Sequence, residues 1–205
     1  MVEDYQKREA ETLQPFMLAV GRLCGAWAEL EFFVQQFFVG ALRMPEEDAS
    51  YAIANCIDFR DQIRAIKVAI VAFKMPPDWA EEVIESLDYI DNILRLRRNR
   101  YVHDRWDVNP LTWEVYRTNR TPKIGKPQSR LPRRVEEHQR AVQSLSDLEE
   151  TIQAVQDEGC VLMSLALMMD SPSDYETERE RTPILRERPF LHLPKGTPDQ
   201  RARDG

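Results

Sequence analysis

Three polar side chains within six positions have the types needed for proton-transfer chemistry: Arg98, Asn99 and His103. Asn99 and His103 are four residues apart, so on a helix they share a face, and the amide can hold one imidazole nitrogen. The other nitrogen could then move a proton to or from a ribose oxygen, while Arg98 stabilises charge on a phosphorane. A histidine and an arginine are a workable pair for RNA cleavage without a metal ion. Arg98 starts about 140° from His103 around an ideal helix, so the two converge only through the long side chain of Arg98 or a frayed last turn.

The distance between the arginine and the histidine is not distinctive by itself. Comparable spacings separate Arg133 from His138 and Arg186 from His192. A solvated basic helix end is the structural alternative, because the helix dipole favours cations near a C-terminus. His103 differs from the other two histidines in having an asparagine directly after the arginine and in ending a predicted amphipathic helix.

An acidic residue on the first predicted helix is a fourth candidate. Glu31 follows Trp27 by four residues, so it points along the apolar stripe of that helix. A carboxylate on a packing face needs a cation or a hydrogen-bond donor. Glu31 could therefore contribute to the site, or it could form a structural ion pair with Arg97 or Arg98.

Long amphipathic helices are predicted to position these residues. Apolar side chains recur at helical spacing over 9–43, over 45–73 with a restart near Asp58, over 79–104, and over 146–169. Glycine is scarce, with 7 residues in 205, which also favours helices over a β-sandwich. We therefore expect a mainly all-α fold, an up-and-down bundle of about four to five helices.

The chain between the third and last predicted helices has a different character. Residues 105–117 predict a β-hairpin, with Asn109-Pro110 at the turn, and 135–142 are a candidate for a further short strand. From 117 to 134 there are seven Lys or Arg residues and no Asp or Glu, which predicts a basic, extended loop. The whole chain has a formal charge of −7, so any nucleic-acid binding requires a local basic patch such as this one.

Basic side chains near the motif and in the loop are candidates for contacts with RNA phosphates. They are Arg95, Arg97, Arg100, Arg105, Arg117, Arg120, Lys123 and Lys126. A solvated loop, or a docking site for an acidic partner, explains the loop equally well. The aromatic residues Trp106, Trp113 and Tyr116 could stack on bases, or they could pack on the protein body.

Composition and spacing set the remaining expectations. Residues 1–170 are predicted to form one helical domain with 105–142 as an insertion, followed by a Pro-rich extended tail over 171–205. The odd number of cysteines, three, predicts buried free thiols in a reducing cytoplasm. There is no signal peptide, membrane span, zinc spacing or Gly-rich phosphate loop in the sequence, so we expect neither a metal nor a cofactor.

The segment Arg98-Asn99-x-x-x-His103 resembles the motif of the HEPN superfamily of compact helical domains. The resemblance covers roughly residues 10–170 and includes a long first helix, the motif late in a third helix, and a final helix. It implies a metal-independent endoribonuclease that acts at a homodimer cleft and leaves a cyclic phosphate. Arg98 and His103 would then be catalytic, Asn99 would orient the histidine, and Glu31 would contribute from the first helix.

The resemblance also implies a biological setting. Members of this superfamily act in bacterial antiviral defence and toxin–antitoxin systems, so an antitoxin or other regulatory protein is a candidate partner beside the RNA substrate. The hairpin and loop over 105–142 are not part of the minimal fold of the family. The alternative hypothesis is a catalytically silent helical scaffold that binds a partner protein through its arginine cluster.

Overall fold

Helices form most of the structure, as the periodicity of the apolar residues predicted. The computed structural model describes residues 2–45, 47–118, 140–169 and 175–186. Its long helices are α1 (Val2–Ala41), α3 (Phe59–Ala72), α4 (Pro77–Tyr89) and α6 (Leu145–Leu167). The mainly all-α fold class, with a hairpin before the long helix α6, is therefore confirmed.

The first helix begins earlier than expected. The prediction was 9–43, whereas α1 starts at Val2 and continues for 40 residues with Pro15 inside it. The predicted second region is divided into α2 (Asp48–Asn55) and α3, and Asp58 caps α3 by accepting a hydrogen bond from the backbone N–H of Arg60 at 2.9 Å. The expected restart at Asp58 is thus confirmed.

The predicted third helix is interrupted where its motif begins. After α4 come a π-helical turn over Ile90–Leu94 and then α5, which spans Arg95–His103. A π-turn widens the helix and changes the direction of the side chains that follow, and such turns are frequent at functional sites. All three motif residues lie on α5, and His103 is its last residue.

The predicted hairpin is present and is joined by a third strand. Strands β1 (Arg105–Val108) and β2 (Val115–Thr118) pair antiparallel, and β2 also pairs antiparallel with β3 (Arg140–Val142). The strand order is β1-β2-β3. The expected strand over 135–142 is described only from residue 140 onward, and Arg120, Lys123, Lys126 and most of the predicted basic loop lie outside the described residues.

The chain divides into two compact units. The first unit contains the described residues up to Phe32 and those from Ile90 to Gln156, and the second contains Phe33–Tyr89 and the described residues from Asp157 onward. Buried residues of the first unit include Leu23, Leu30, Leu94, Leu148 and Ile152. Those of the second include Phe37, Ile66, Trp79, Leu87 and Leu162. The whole motif, together with Glu31 and the sheet, belongs to the first unit.

The described part of the C-terminal tail is helical, which corrects the expectation of an extended segment. It forms the short helices α7 (Tyr175–Arg181) and α8 (Pro183–Arg186). Tyr175 and Leu185 are buried, and Nε of Arg179 lies 3.5 Å from a carboxylate oxygen of Glu82 in α4. These contacts attach the helices to the second unit, and burial of their apolar residues explains why this stretch folds.

The cysteines also differ from expectation. Cys24, Cys56 and Cys160 are free thiols, but Cys56 and Cys160 are exposed and Cys24 is half-buried. Sequence patterns placed them among apolar residues, whereas Cys56 follows the end of α2 and Cys160 lies on an outward position of α6. Within the described part of the chain, no helix combines the length and the apolar character needed to cross a bilayer.

Candidate functional site

The guanidinium of Arg98 lies at the centre of the candidate site. It is half-buried and lies 5.8 Å from the centre of the Trp27 ring, so the cation faces an aromatic side chain from α1. Its Nη1 donates a hydrogen bond to Oδ1 of Asn99 at 3.1 Å. Within the described residues, its buried Nε has no acceptor. An arginine held mainly by one ring and one neutral amide retains donors for a further anion.

Trp27 connects this arginine with the acidic candidate. Its indole Nε1 donates to Oε1 of Glu31 at 2.6 Å, one helical turn further along α1. Trp27 is buried at 3% exposure, while Glu31 is exposed. We expected Glu31 on the packing face, with either a cation or a hydrogen-bond donor as its partner. The partner is a neutral indole donor, which leaves the negative charge of the carboxylate uncompensated by this contact. Because Glu31 is exposed, it lies at the edge of that face.

His103 is the exposed member of the motif. It lies one turn after Asn99, at the C-terminal end of α5, where the helix stops because Asp104 adopts an extended conformation with ψ of 155°. We expected the amide of Asn99 to orient the imidazole, whereas in the structure its oxygen accepts from Arg98. The physical reason is that a neighbouring cation with several N–H groups is a stronger donor than an imidazole directed to solvent.

The residue after His103 belongs to a second arginine site. Nη1 of Arg117 in β2 lies 3.7 Å from Oδ2 of Asp104, and its Nε donates to Gln143 at 2.5 Å. The guanidinium also covers the ring of Tyr101 at 4.1 Å. Together these contacts join the end of α5 to the sheet and fix the backbone next to His103.

Burial dominates the electrostatics of this second site. It raises the pKa of Asp104 above its ordinary value, although the nearby Arg117, Arg100 and His103 act in the opposite direction. Burial likewise lowers the pKa of Arg117, which the ring of Tyr101 and the carboxylate of Asp104 oppose in part. Both groups are thus kept out of water by the packing around them, which is characteristic of a structural contact.

Two of the three hairpin aromatics, Trp106 and Trp113, pack on the protein body, which was one of the two predicted alternatives for them. Trp106 lies 5.7 Å from Phe16 of α1 and donates its Nε1 hydrogen to the carbonyl of Tyr101 at 3.0 Å. Trp113 lies 5.6 Å from Tyr5, with the guanidinium of Arg8 at 4.1 Å from its ring. These indole rings are therefore used to attach the sheet to α1.

The structure separates the basic candidates into three groups. Arg97 and Arg100 are exposed on α5, and Arg105 is exposed but paired with Asp107 at 2.7 Å. Arg95 donates to Asp91 at 2.6 Å, and Arg117 is enclosed as described above. Arg120, Lys123 and Lys126 lie outside the described residues. Among the described candidates, the exposed cations are thus Arg97 and Arg100 on α5 and Arg105 at the start of β1.

Trp27 is the site residue that the sequence interpretation missed. It lies on the heptad row of apolar residues in α1, which assigns it to the core, and it is indeed buried. Its four-residue spacing to Glu31 is the signal that could have identified it, because an indole N–H and a carboxylate at that spacing face each other on a helix. Its ring then links α1 to α5 through Arg98.

In the described residues there is no group of three or more His, Cys, Asp and Glu side chains placed to hold a metal ion. Neither a family model, nor a curated protein, nor a solved structure matches this chain. The candidate site is thus defined by its own geometry: an exposed imidazole, a guanidinium with a buried unpaired donor, and a carboxylate on one indole.

Proposed function

We propose that the chain is a metal-independent endoribonuclease of HEPN type that acts on RNA as a homodimer. The observation that carries the proposal is the arrangement on α5, where the half-buried Arg98 and the exposed His103 occupy the same short helix. Arg98 is fixed by Trp27 and Asn99, so it could meet a phosphate without first losing much side-chain entropy. His103 is accessible for proton transfer.

The proposed reaction is an intramolecular transfer on the RNA backbone. A histidine removes the proton from a ribose 2′-hydroxyl, whose oxygen attacks the adjacent phosphorus while the bond to the 5′-oxygen breaks. The leaving 5′-oxygen takes up a proton, and the products are a 2′,3′-cyclic phosphate and a 5′-hydroxyl. The guanidinium of Arg98 stabilises the extra negative charge on the phosphorane.

The other site residues have supporting roles in this proposal. Asn99 holds the guanidinium of Arg98, and Glu31 contributes a negative charge at the edge of the site through its bond with Trp27. Exposed Arg97, Arg100 and Arg105 neutralise neighbouring phosphates of the RNA. A defence or toxin role, with an antitoxin or other regulatory protein as partner, is the setting that the motif favours.

The direct test uses end-labelled single-stranded RNA or tRNA in EDTA. We expect wild type to produce fragments with 2′,3′-cyclic phosphate ends, and His103→Ala to lose at least about 100-fold in rate. Arg64→Ala, at an exposed cation of the second unit, is the matched control and should retain wild-type activity. Equal cleavage by wild type and His103→Ala, or none by either on any RNA, contradicts the proposal.

A second candidate function is supported by one specific observation. The apolar Leu96 is 41% exposed on α5 beside the exposed Arg97 and Arg100. A mixed apolar and basic helix face suits an acidic protein partner better than an RNA backbone. A catalytically silent scaffold of this kind would bind its partner unchanged in His103→Ala, and it would lose binding in Leu96→Asp.

A further inference from the structure

The outward face of α1 carries a row of apolar and small residues instead of polar ones. The members are Leu18, Gly21, Gly25, Ala28 and Phe32, at alternating steps of three and four residues, and all are exposed. Leu18 is 64% and Phe32 48% exposed. The opposite face of the same stretch is the buried one, with Ala19, Leu23, Ala26, Trp27 and Leu30. A helix that contacts its own protein on one side only normally has a polar outer face.

The two glycines in this row are not explained by packing within the chain. A Cβ atom built on Gly21 or on Gly25 would meet no other part of the described chain within 4 Å. Each glycine inside a helix costs about 1 kcal/mol relative to alanine. Close approach of another helix makes use of such positions, because the distance between helix axes depends on the side chains at the contact. The glycines alone do not identify that helix.

The residues around Gly25 indicate that the approaching helix is α1 of a second copy, because the row can pair with an identical row that runs in the opposite direction. Leu18 precedes Gly25 by seven residues and Phe32 follows it by seven. In an antiparallel crossing with a twofold axis at Gly25, each leucine would therefore meet the phenylalanine of the other copy. The flanking charges match in the same way, since Arg22 and Glu29 lie three residues before and four residues after Gly25. A self-complementary patch is the requirement for an isologous dimer.

We propose that two copies of this chain associate through this α1 face, antiparallel and centred on Gly25. Arg22 is available for the contact, because its ion pair with Glu149 at 2.8 Å is solvent-exposed at both partners and so is worth little. The contact uses one helix per copy, so it is small, and we expect it to dissociate on dilution. The proposal names a surface for self-association and can fail while cleavage dependent on His103 persists.

Substitution of Gly25 distinguishes this proposal from the alternative that the α1 face contacts only solvent. Gly25→Leu has open space in the isolated chain and a higher helix propensity, so its unfolding midpoint should equal or exceed that of wild type. In the dimer the leucine would hold the helices apart, so we expect association to weaken at least about tenfold in analytical ultracentrifugation. Gln156→Leu, at an exposed position of α6, is the matched control and should associate like wild type.

Further variants test the pairing of Arg22 with Glu29 and the antiparallel direction of the two helices. Arg22→Glu and Glu29→Arg should each weaken association, and the double variant should restore it. In a chain with its three cysteines replaced, Gly25→Cys should form a disulfide with itself under mild oxidation. Leu18→Cys should form one only when combined with Phe32→Cys, because two copies of position 18 would be about 21 Å apart along the helix.

Three outcomes would overturn the proposal. They are a monomeric wild type at every concentration, unchanged association of Gly25→Leu, and self-crosslinking of Leu18→Cys alone, which would indicate a parallel contact. Ready capture of a different protein by a monomeric chain would assign the face to that partner instead.

Discussion

Arg98 and Arg117 both contact aromatic rings in the first unit, yet their surroundings differ. Arg117 covers Tyr101 at 4.1 Å, donates to Gln143 and lies 3.7 Å from the carboxylate of Asp104. Arg98 has one ring at 5.8 Å and one neutral amide. The acidic candidate, Glu31, accepts a hydrogen bond from the indole of Trp27. Each guanidinium has one buried nitrogen without a hydrogen-bond acceptor among the described residues, Nη1 of Arg117 and Nε of Arg98. The difference lies in the carboxylate near Arg117, from which we infer that Arg117 stabilises the fold and that Arg98 keeps its charge available.

The largest expected effect on stability is at Arg117. Arg117→Ala would leave Asp104 without its cation and remove the cover of Tyr101, so the free energy of unfolding should fall by roughly 2–3 kcal/mol. Urea unfolding followed by circular dichroism measures this change. Arg117→Lys should lie between alanine and wild type, because it keeps the charge without the planar fork. If Arg117→Ala is as stable as wild type, the two arginines do not differ in the way proposed.

Trp27→Phe tests the surroundings of Arg98 by removing the indole N–H and keeping an aromatic ring. The ring remains beneath the guanidinium, but the indole donor to Glu31 is lost, so we expect a loss of about 1 kcal/mol in unfolding free energy. RNA cleavage should fall only modestly, because Arg98 and His103 are retained. Glu31→Gln keeps an acceptor for the indole and is the control for the charge alone. A larger effect of Trp27→Phe on cleavage than of Arg98→Ala would reverse the assigned roles.

The smallest expected effect is the pH dependence of Asp104. Burial raises the pKa of this carboxyl in the folded state above its ordinary value of 3.8. The protonated carboxyl therefore contributes fully to the free energy of unfolding below pH 3.8. This contribution is lost as the pH rises through the raised pKa of the folded state. Stability measured from about pH 4 to about pH 7 should therefore fall in wild type relative to Asp104→Asn. Parallel curves for the two proteins would contradict this assignment.

Much of the fold could be predicted because it depends on local periodicity. The rows of apolar residues predicted α1, α3 and α6, and the alternating aromatic residues with Asn109-Pro110 predicted the hairpin. The π-turn over Ile90–Leu94 was not predicted, since its sequence continues the apolar pattern of α4. The folded tail was missed because proline and charge favour an extended chain, and tertiary burial of Tyr175 and Leu185 overrides that preference.

The helical positions of the motif residues could be predicted from the sequence, whereas the contribution of Trp27 and the contacts between the side chains could not. Spacing placed Asn99 and His103 on one face of a helix, and both lie on α5. The spacing could not show that Asn99 binds Arg98, because that contact depends on competition among hydrogen-bond donors. Nor could it show that Arg117 packs within the sheet region, because its partners Gln143 and Asp104 are distant in sequence. Arg117 was predicted both at the end of the hairpin and as the first cation of the basic loop, and the structure places it in β2, where it is enclosed.

The most direct test of the central claim measures two properties of Arg98→Ala together, at a temperature where the protein is folded. Cleavage of single-stranded RNA in EDTA should fall at least about 100-fold, while the free energy of unfolding changes by no more than about 1 kcal/mol. That combination would show that Arg98 acts on the substrate. Retention of cleavage by Arg98→Ala would contradict this role. So would a loss of stability as large as that of Arg117→Ala, if cleavage then decreases only in proportion to the folded fraction.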